Sequence, residues 1–396
     1  MLKKKLKNFF ALERNIAVVV IANLFWSTIT LYNGFLPKFY ESLGASIFFI
    51  GLIYSLNDMS YSFSSFIGGH LGDAYGRKNI FVRTSFISNF LLLAYVFAPN
   101  WIFLVPFILF GSLVNGLGDA SAHTLISESV SRKRRATALA SINLVAIILS
   151  TILTPIGAML VQTYGMTEGV RIGVSISFFF SLLGTIILFR HVKETYKKVR
   201  KKIKFNFNFS DLKKFFKKLP VGIKGIFLYA SLIYFTSSIV KPYWIFYALD
   251  VIKISFFQFG IWEGVQFISV AFFMFLGAKL SDKYGRKKIL LFSTVVSSLI
   301  PFLFVFSTNF FQLLLLNVVI GVGTLGVFTL FPYVADSIDP KRRSKAIGIT
   351  NGLMALVGIP GPFIGSLFYI IMPQYPFILS GLLTVVAFIV GVRFLK

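Results

Sequence analysis

The chain contains no cysteine, so disulfides and thiolate-held metals are excluded. It has only 14 Asp and Glu against 40 Lys and Arg, and three His. No cluster of His, Asp and Glu with metal-ligand spacing can be assembled, and no nucleophile stands beside a plausible base. Glycine patterns of the P-loop and dinucleotide kinds are missing as well, so nothing supports nucleotide-driven chemistry. Long stretches are also missing charge. Ile289 to Ala335 and Ala346 to Val392 contain no Asp, Glu, Lys, Arg or His. Each is long enough for two membrane crossings of about 20 residues with a turn between them. Thr84 to Gly118 and Ala136 to Thr167 lack Lys, Arg, Asp and Glu. The apolar runs do not alternate with period two, which excludes membrane strands.

What is present is hydrophobic: 56% of 396 residues, with 48 Phe and a mean hydropathy of +0.79. Turn residues divide this material into roughly twelve helices near 16–36, 46–70, 79–98, 101–127, 136–161, 171–190, 221–249, 256–278, 289–307, 310–336, 344–370 and 375–393. The net charge of +26 is not a nucleic-acid footprint, because of where it falls. With both termini inside, only Lys38, Arg171, Lys241 and Lys253 lie away from the terminal tails and the even-numbered loops. That asymmetry predicts a multi-pass protein of the cytoplasmic membrane with both ends in the cytoplasm. Membrane lipids are then its surroundings, and its excess basic charge suits the anionic inner leaflet.

The chain is internally repeated. Gly69-His70-Leu71-Gly72-Asp73-Ala74-Tyr75-Gly76-Arg77-Lys78 returns 209 positions later as Ala278-Lys279-Leu280-Ser281-Asp282-Lys283-Tyr284-Gly285-Arg286-Lys287. Glu128 and Arg134-Arg135 return as Asp336 and Arg342-Arg343 at nearly the same offset. Two correlated matches mean a duplicated unit of about 200 residues. We therefore expect an N-terminal six-helix bundle at 1–190, a cytoplasmic linker at 191–220 and a second six-helix bundle at 221–396. Leu2, Leu6, Phe9 and Phe10 interleave with lysines as an interfacial anchor. In the linker, Ser210 is placed to cap an amphipathic helix with Leu212, Phe215, Phe216 and Leu219 on one face.

This combination resembles the major facilitator superfamily over nearly the whole chain. Gly69, Leu71, Asp73, Gly76, Arg77 and Lys78 fit the family signature between spans 2 and 3. Leu280, Asp282, Gly285, Arg286 and Lys287 repeat it between spans 8 and 9, with Ala278 in place of the first Gly. Glu128 with Arg135, and Asp336 with Arg343, match the acid-x6-Arg pattern of sugar-porter-like members. The resemblance implies an all-α integral membrane fold of twelve helices in two pseudo-symmetric bundles. It also implies transport of a small organic solute by alternating access, without a cofactor or enzymatic step, by a functional monomer. The repeated charges would form a cytoplasmic gate in which Asp73 faces a helix of the opposite half and Arg77 and Arg135 bracket Glu128; Arg286, Arg343 and Asp336 would form the counterpart. Gly76 and Gly285 would allow the tight turns through positive φ.

Ionisable residues at membrane depth are candidates for coupling or binding. Asp58 lies 15 residues before Asp73, which is about 22 Å along a helix. Asn57 stands beside it, and Tyr54 and Tyr61 share its face. Glu263 and Gln266 are the counterparts of Tyr54 and Asn57 on span 8. Asp119 lies about 13 Å in from Glu128. Lys241 sits beside Pro242, a predicted break in span 7. Lys241 and Glu263 can also be read as side chains reaching out to the interface. The resemblance adds Trp26, Asn33, Asn115, Tyr234 and Asn317 as cavity-lining candidates. Asp58 is the leading candidate for proton coupling or solute binding, and in a uniporter it would only bind solute. The acid-x6-Arg pairs lean toward a sugar or metabolite porter. A multidrug proton antiporter, a facilitative uniporter and a non-transporting membrane sensor remain alternatives. The Gly-Pro-x-x-Gly motif of drug antiporters is not in span 5, which offers only Thr154-Pro155-Ile156-Gly157; Gly361-Pro362-Phe363-Ile364-Gly365 lies in span 11 instead.

Overall fold

A computed structural model of the chain describes residues 14–130, 135–195, 221–336 and 343–395. The basic N-terminal segment and the amphipathic segment expected at Ser210–Leu219 lie outside the described residues, as do the side chains of Arg135, Asp336 and Arg343.

The described residues form twelve helical spans in chain order. The first, α1, runs over Arg14–Ser42 and tightens into 3-10 turns at Ser27–Leu31 and Asn33–Phe35. Then come α2 (Ile47–Tyr75), α3 (Arg77–Phe97), α4 (Trp101–Glu128), α5 (Arg135–Tyr164) and α6 (Met166–His191). The second set is α7 (Val221–Val240), α8 (Phe256–Tyr284), α9 (Arg286–Val305) and α10 (Phe310–Gly323, continuing to Asp336). It ends with α11, in two pieces, Arg343–Gly358 and Gly361–Ile371, and α12 (Tyr375–Phe394). Nine of the described helices are long and apolar enough to cross a membrane, and Lys224–Val240 and Phe310–Gly326 are shorter apolar stretches. The twelfth, α2, has the length at 29 residues but carries Asn57, Asp58 and a run of Ser and Tyr. A helix satisfies its own backbone groups, which is why apolar sequence in lipid takes this form.

Local signals set the helix ends. Gly76 (φ 94°) and Gly285 (φ 95°) are single-residue links between α2 and α3 and between α8 and α9, a backbone region closed to most side chains. Because each link is so short, Leu71 to Tyr75 remain helical, so Asp73 stands on the last turn of α2 rather than in a loop. The side chains of Asn100 and Asn309, also 209 apart, cap α4 and α10 by accepting from Phe103 and Gln312 backbone N–H groups, both at 3.0 Å. The break expected at Pro242 is present: α7 ends at Val240, a turn covers 241–243, and Trp244–Phe246 and Tyr247–Val251 continue as short helical pieces.

The chain divides into two compact units, Met1–Gly44 with Ser60–Ile203, and Ala45–Met59 with Lys204–Lys396. The boundary falls within α2, whose first half is grouped with the second unit. In the first unit, Ile16, Val19, Ala22, Phe81, Leu125 and Leu188 form a core among α1, α3, α4 and α6. In the second, Tyr229, Ala230, Leu290, Leu330, Val334 and Leu395 do so among α7, α9, α10 and the C-terminal end. At the other end of the second unit, the rings of Trp244, Trp262, Phe304 and Phe377 stack and tilt against one another with neighbouring centroids 4.4–6.2 Å apart.

Candidate functional site

Three polar groupings lie at membrane depth or at the basic ends of the helices. In the second unit, Lys241 Nζ donates to Asp58 at 3.1 Å (Oδ1) and 3.4 Å (Oδ2). The break at the end of α7 turns Lys241 toward the carboxylate, and the ring centroid of Tyr54 lies 5.9 Å from the ammonium. The Asp58 side chain is 17% exposed and that of Lys241 48%, so the lysine is the accessible partner. Two charges that sequence flagged separately, 183 positions apart, neutralise one another. This is how an ionised carboxylate is tolerated away from a helix end.

In the first unit, Tyr61 donates its hydroxyl proton to Asp119 Oδ2 at 2.8 Å. Helices α2 and α4 approach closely there: a Cβ on Gly116 would lie 2.6 Å from the Tyr61 carbonyl oxygen, and one on Gly68 would lie 2.6 Å from the Leu117 carbonyl oxygen. Small residues thus bring Tyr61 across from Asp119. Nearby, Ser88 donates to Asn115 Oδ1 at 2.6 Å, and both Asn115 and Asp119 are exposed.

The third grouping collects the repeated motif. Arg77, 9% exposed at its side chain, pairs with Glu128 Oε2 and lies 3.1 Å from Asp73 Oδ1. Asp73 therefore meets an arginine one turn along the chain, while the partner implied for it by resemblance was a helix of the other half. Glu194, from the segment after α6, accepts the backbone N–H groups of Arg77 (3.2 Å) and Lys78 (3.0 Å), the first donors of α3. A carboxylate at a helix N-terminus is favoured by the helix dipole. Thr195 donates to Glu128 Oε2 at 2.9 Å, and Asn15 ties the same segment down through Lys193 and Ser129. Sequence reasoning did not single out Glu194; its position beside a helix that begins 117 residues earlier has no local signature. In the second copy, Arg286 donates to the Pro332 carbonyl oxygen at 2.8 Å, while Asp282 is exposed and Lys287 half-buried. Gly69 has open space around it.

The remaining candidates scatter. Asn317 is fully buried; its amide donates to the Trp262 carbonyl oxygen at 2.9 Å, joining α10 to α8, while its Oδ1 is buried with no hydrogen-bond partner among the described residues. Trp26 is half-buried and donates to Ser181 O and Thr185 Oγ1, both at 3.3 Å. It thereby joins a buried network with Asn89, another residue without a sequence signal. Glu263 keeps Oε2 buried with no hydrogen-bond partner among the described residues, and Gln266 beside it is half-buried. Asn33 and Tyr234 are exposed, and Asn57 is half-buried one position before Asp58. Among the described residues no group of three or more His, Asp or Glu is placed to hold a metal ion.

Comparison with known proteins agrees with this architecture. The family model described as Major Facilitator Superfamily matches residues 18–249 and 226–396. The multi-drug resistance efflux pump PmrA of Streptococcus pneumoniae serotype 4 is 26% identical over 356 residues, covering 86% of this chain and 85% of that protein. The class B tetracycline resistance protein of Escherichia coli is 34% identical over 124 residues, 31% of this chain and 30% of that one. Among solved structures, a bacterial homologue of the human lysosomal transporter Spinster, inward-facing and unoccupied, superposes with a TM-score of 0.75 at 14% identity, covering 98% and 97% of the two chains. The xylose transporter XylE of Escherichia coli, inward open, gives 0.71 at 14% identity, covering 96% and 95%. At those identities the structural likeness concerns the fold alone.

Proposed function

Since this chain belongs to the major facilitator superfamily and is a multi-pass membrane transporter, we propose that it exports small organic solutes across the cytoplasmic membrane in exchange for protons. The observation that carries the coupling is the Asp58–Lys241 pair. Protonating Asp58 removes the charge that holds the lysine, and a solute carrying positive charge competes with both the proton and the ammonium for one carboxylate. Such mutual exclusion is the requirement of antiport: a site that takes either the proton or the solute, but not both, exchanges one for the other as it is exposed alternately to each side. The direction rests on PmrA-type relatives that match over most of the chain. Orientation with both termini in the cytoplasm rests on the placement of Lys and Arg.

A sugar or metabolite porter is the second reading, favoured by the Glu128-x6-Arg135 and Asp336-x6-Arg343 spacing. The two are separated in everted vesicles energised by an acidic lumen. Export in the cell predicts that lipophilic dyes accumulate in the lumen, and that Asp58→Asn abolishes this accumulation. Movement of sugars but not dyes driven by the pH difference, in either direction, would favour the second reading. Undiminished pH-driven accumulation in Asp58→Asn would remove the pair from the coupling mechanism.

A further inference from the structure

Of the four basic residues that lie away from the basic tails and loops, three pair with carboxylates: Lys241 with Asp58, Lys38 with Glu41 at 2.7 Å, and Arg171 with Glu168 at 2.7 Å. Arg171 makes a second contact. Its other terminal nitrogen donates at 2.7 Å to the carbonyl of Ala98, the residue that ends α3. A cation is favoured at the C-terminus of a helix. These two bonds fix the guanidinium across the gap between α6 and α3, within the first unit. A guanidinium carries five N–H donors, so two bonds do not exhaust it. Nε is buried with no hydrogen-bond partner among the described residues, while the side chain as a whole is 26% exposed.

Arg171 and Glu168 line a groove of about 390 Å³ between α3 and α6. Val96 and Phe97 form its wall on α3. On α6 the charged pair is followed along the same face by Ile172, Ile176 and Phe179, at helical spacing. The rest of that stretch, Gly169, Val170, Gly173, Val174 and Ser177, is buried in the first unit. Phe97 and Phe179 are exposed, so both walls of the groove continue into the apolar outer surface of the unit. Ser175 spends its hydroxyl on the Arg171 carbonyl at 2.8 Å, which leaves Arg171 and Glu168 as the groove's polar groups. Phe179 stands eight residues beyond Arg171, about 12 Å further along the helix. The groove is therefore polar at its helix-end mouth and apolar toward mid-membrane, as a lipid is. It lies at the opposite end of α3 from Arg77 and the basic cluster.

We propose that this groove binds one zwitterionic aminophospholipid, its phosphodiester accepting from Arg171, its ammonium meeting Glu168, and an acyl chain lying along Ile172, Ile176 and Phe179. Charge complementarity selects this occupant. A net-anionic headgroup would satisfy the guanidinium but bring no cation to Glu168, whose side chain is 60% exposed. Inorganic phosphate would leave the apolar walls unused. Charge-assisted N–H···O⁻ bonds are about twice as strong as neutral ones, so the phosphate contact supplies most of the affinity and the ammonium the selectivity. The inference rests on neither solute, proton coupling nor alternating access. The orientation proposed above decides only the leaflet, which would be the outer one.

Native mass spectrometry of the delipidated full chain tests this, with palmitoyl-oleoyl phosphatidylethanolamine and palmitoyl-oleoyl phosphatidylglycerol titrated separately. Wild-type protein should take up one saturable phosphatidylethanolamine, held about threefold to fivefold more tightly than phosphatidylglycerol. Arg171→Met should weaken both lipids about tenfold or more, through loss of the charge-assisted bonds. Glu168→Gln should abolish the preference for phosphatidylethanolamine. Ile176→Trp narrows the groove and leaves the charged pair in place, and should weaken both lipids about tenfold. Because Arg171→Met also releases the end of α3, Glu168→Gln and Ile176→Trp decide the matter should that variant fail to run as a single species on size-exclusion. Uptake that does not saturate, a wild-type preference for phosphatidylglycerol, wild-type affinity in Ile176→Trp, or a preference retained in Glu168→Gln would each overturn the site. Transport is not measured, so none of these results bears on the coupling reading.

Discussion

Removing Arg77 or Glu128 should expose how much the charge cluster at the basic end of the first unit is worth. The cluster contains two pairs of unequal quality. Asp73 is 62% exposed, so its contact with Arg77 is screened by solvent and contributes about 0.5 kcal/mol. Glu128 is 36% exposed, but its partner Arg77 exposes only 9% of its side chain, and Thr195 holds the carboxylate from the other side. Breaking a wholly buried pair costs about 3–5 kcal/mol, and an exposed pair at most about 1 kcal/mol. A half-screened pair falls between, so Arg77→Met should cost about 2–3 kcal/mol and Glu128→Gln about 2 kcal/mol. Asp73→Asn should cost less than about 1 kcal/mol. Because Arg77 and Glu128 are in direct contact, the double variant should cost about 1–2 kcal/mol less than the sum of the singles. Denaturant or thermal unfolding of the purified variants in one detergent measures all four. Additive losses, or an Asp73→Asn loss equal to that of Arg77→Met, would refute the ranking.

Gly76→Ala should destabilise the first unit by about 1–2 kcal/mol, because φ of 94° disfavours a Cβ and the added carbon would stand 2.6 Å from Glu194 Oε2; an unchanged melting temperature would contradict this. Asn317→Ala should lower stability by about 1–2 kcal/mol while leaving the solute profile of transport unaltered, since its side chain is committed to the Trp262 carbonyl. A changed profile with unchanged stability would place it at the cavity. A cysteine placed between Lys197 and Lys202 should resist impermeant reagents added to intact cells, and labelling there would reverse the proposed orientation.

The helices and their connections were legible because their causes are local. Uncharged runs, Gly76 and Gly285 at positive φ, and the paired caps Asn100 and Asn309 each act within a few residues of themselves. Asp58 and Lys241 were each identifiable as ionisable groups at membrane depth, but their pairing was not, since it depends on how a broken α7 meets α2. Asn317 was legible as a polar residue on its span, but its bond to the Trp262 carbonyl was not, since that depends on how α10 packs on α8. Glu194 and Ser55 carried no signal at all: one caps α3 and the other the restart of α11, both across more than a hundred positions. A cap read from sequence is expected one to three residues from the N–H it satisfies.

The most direct test of coupled exchange is proton movement driven by solute alone. Wild-type protein is reconstituted with a pH-sensitive dye in the lumen, no initial pH difference, and an outward gradient of a transported cationic dye. The account predicts that the lumen acidifies as solute leaves, and that Asp58→Asn vesicles hold their pH. Solute efflux from wild-type vesicles with no change in luminal pH would contradict it.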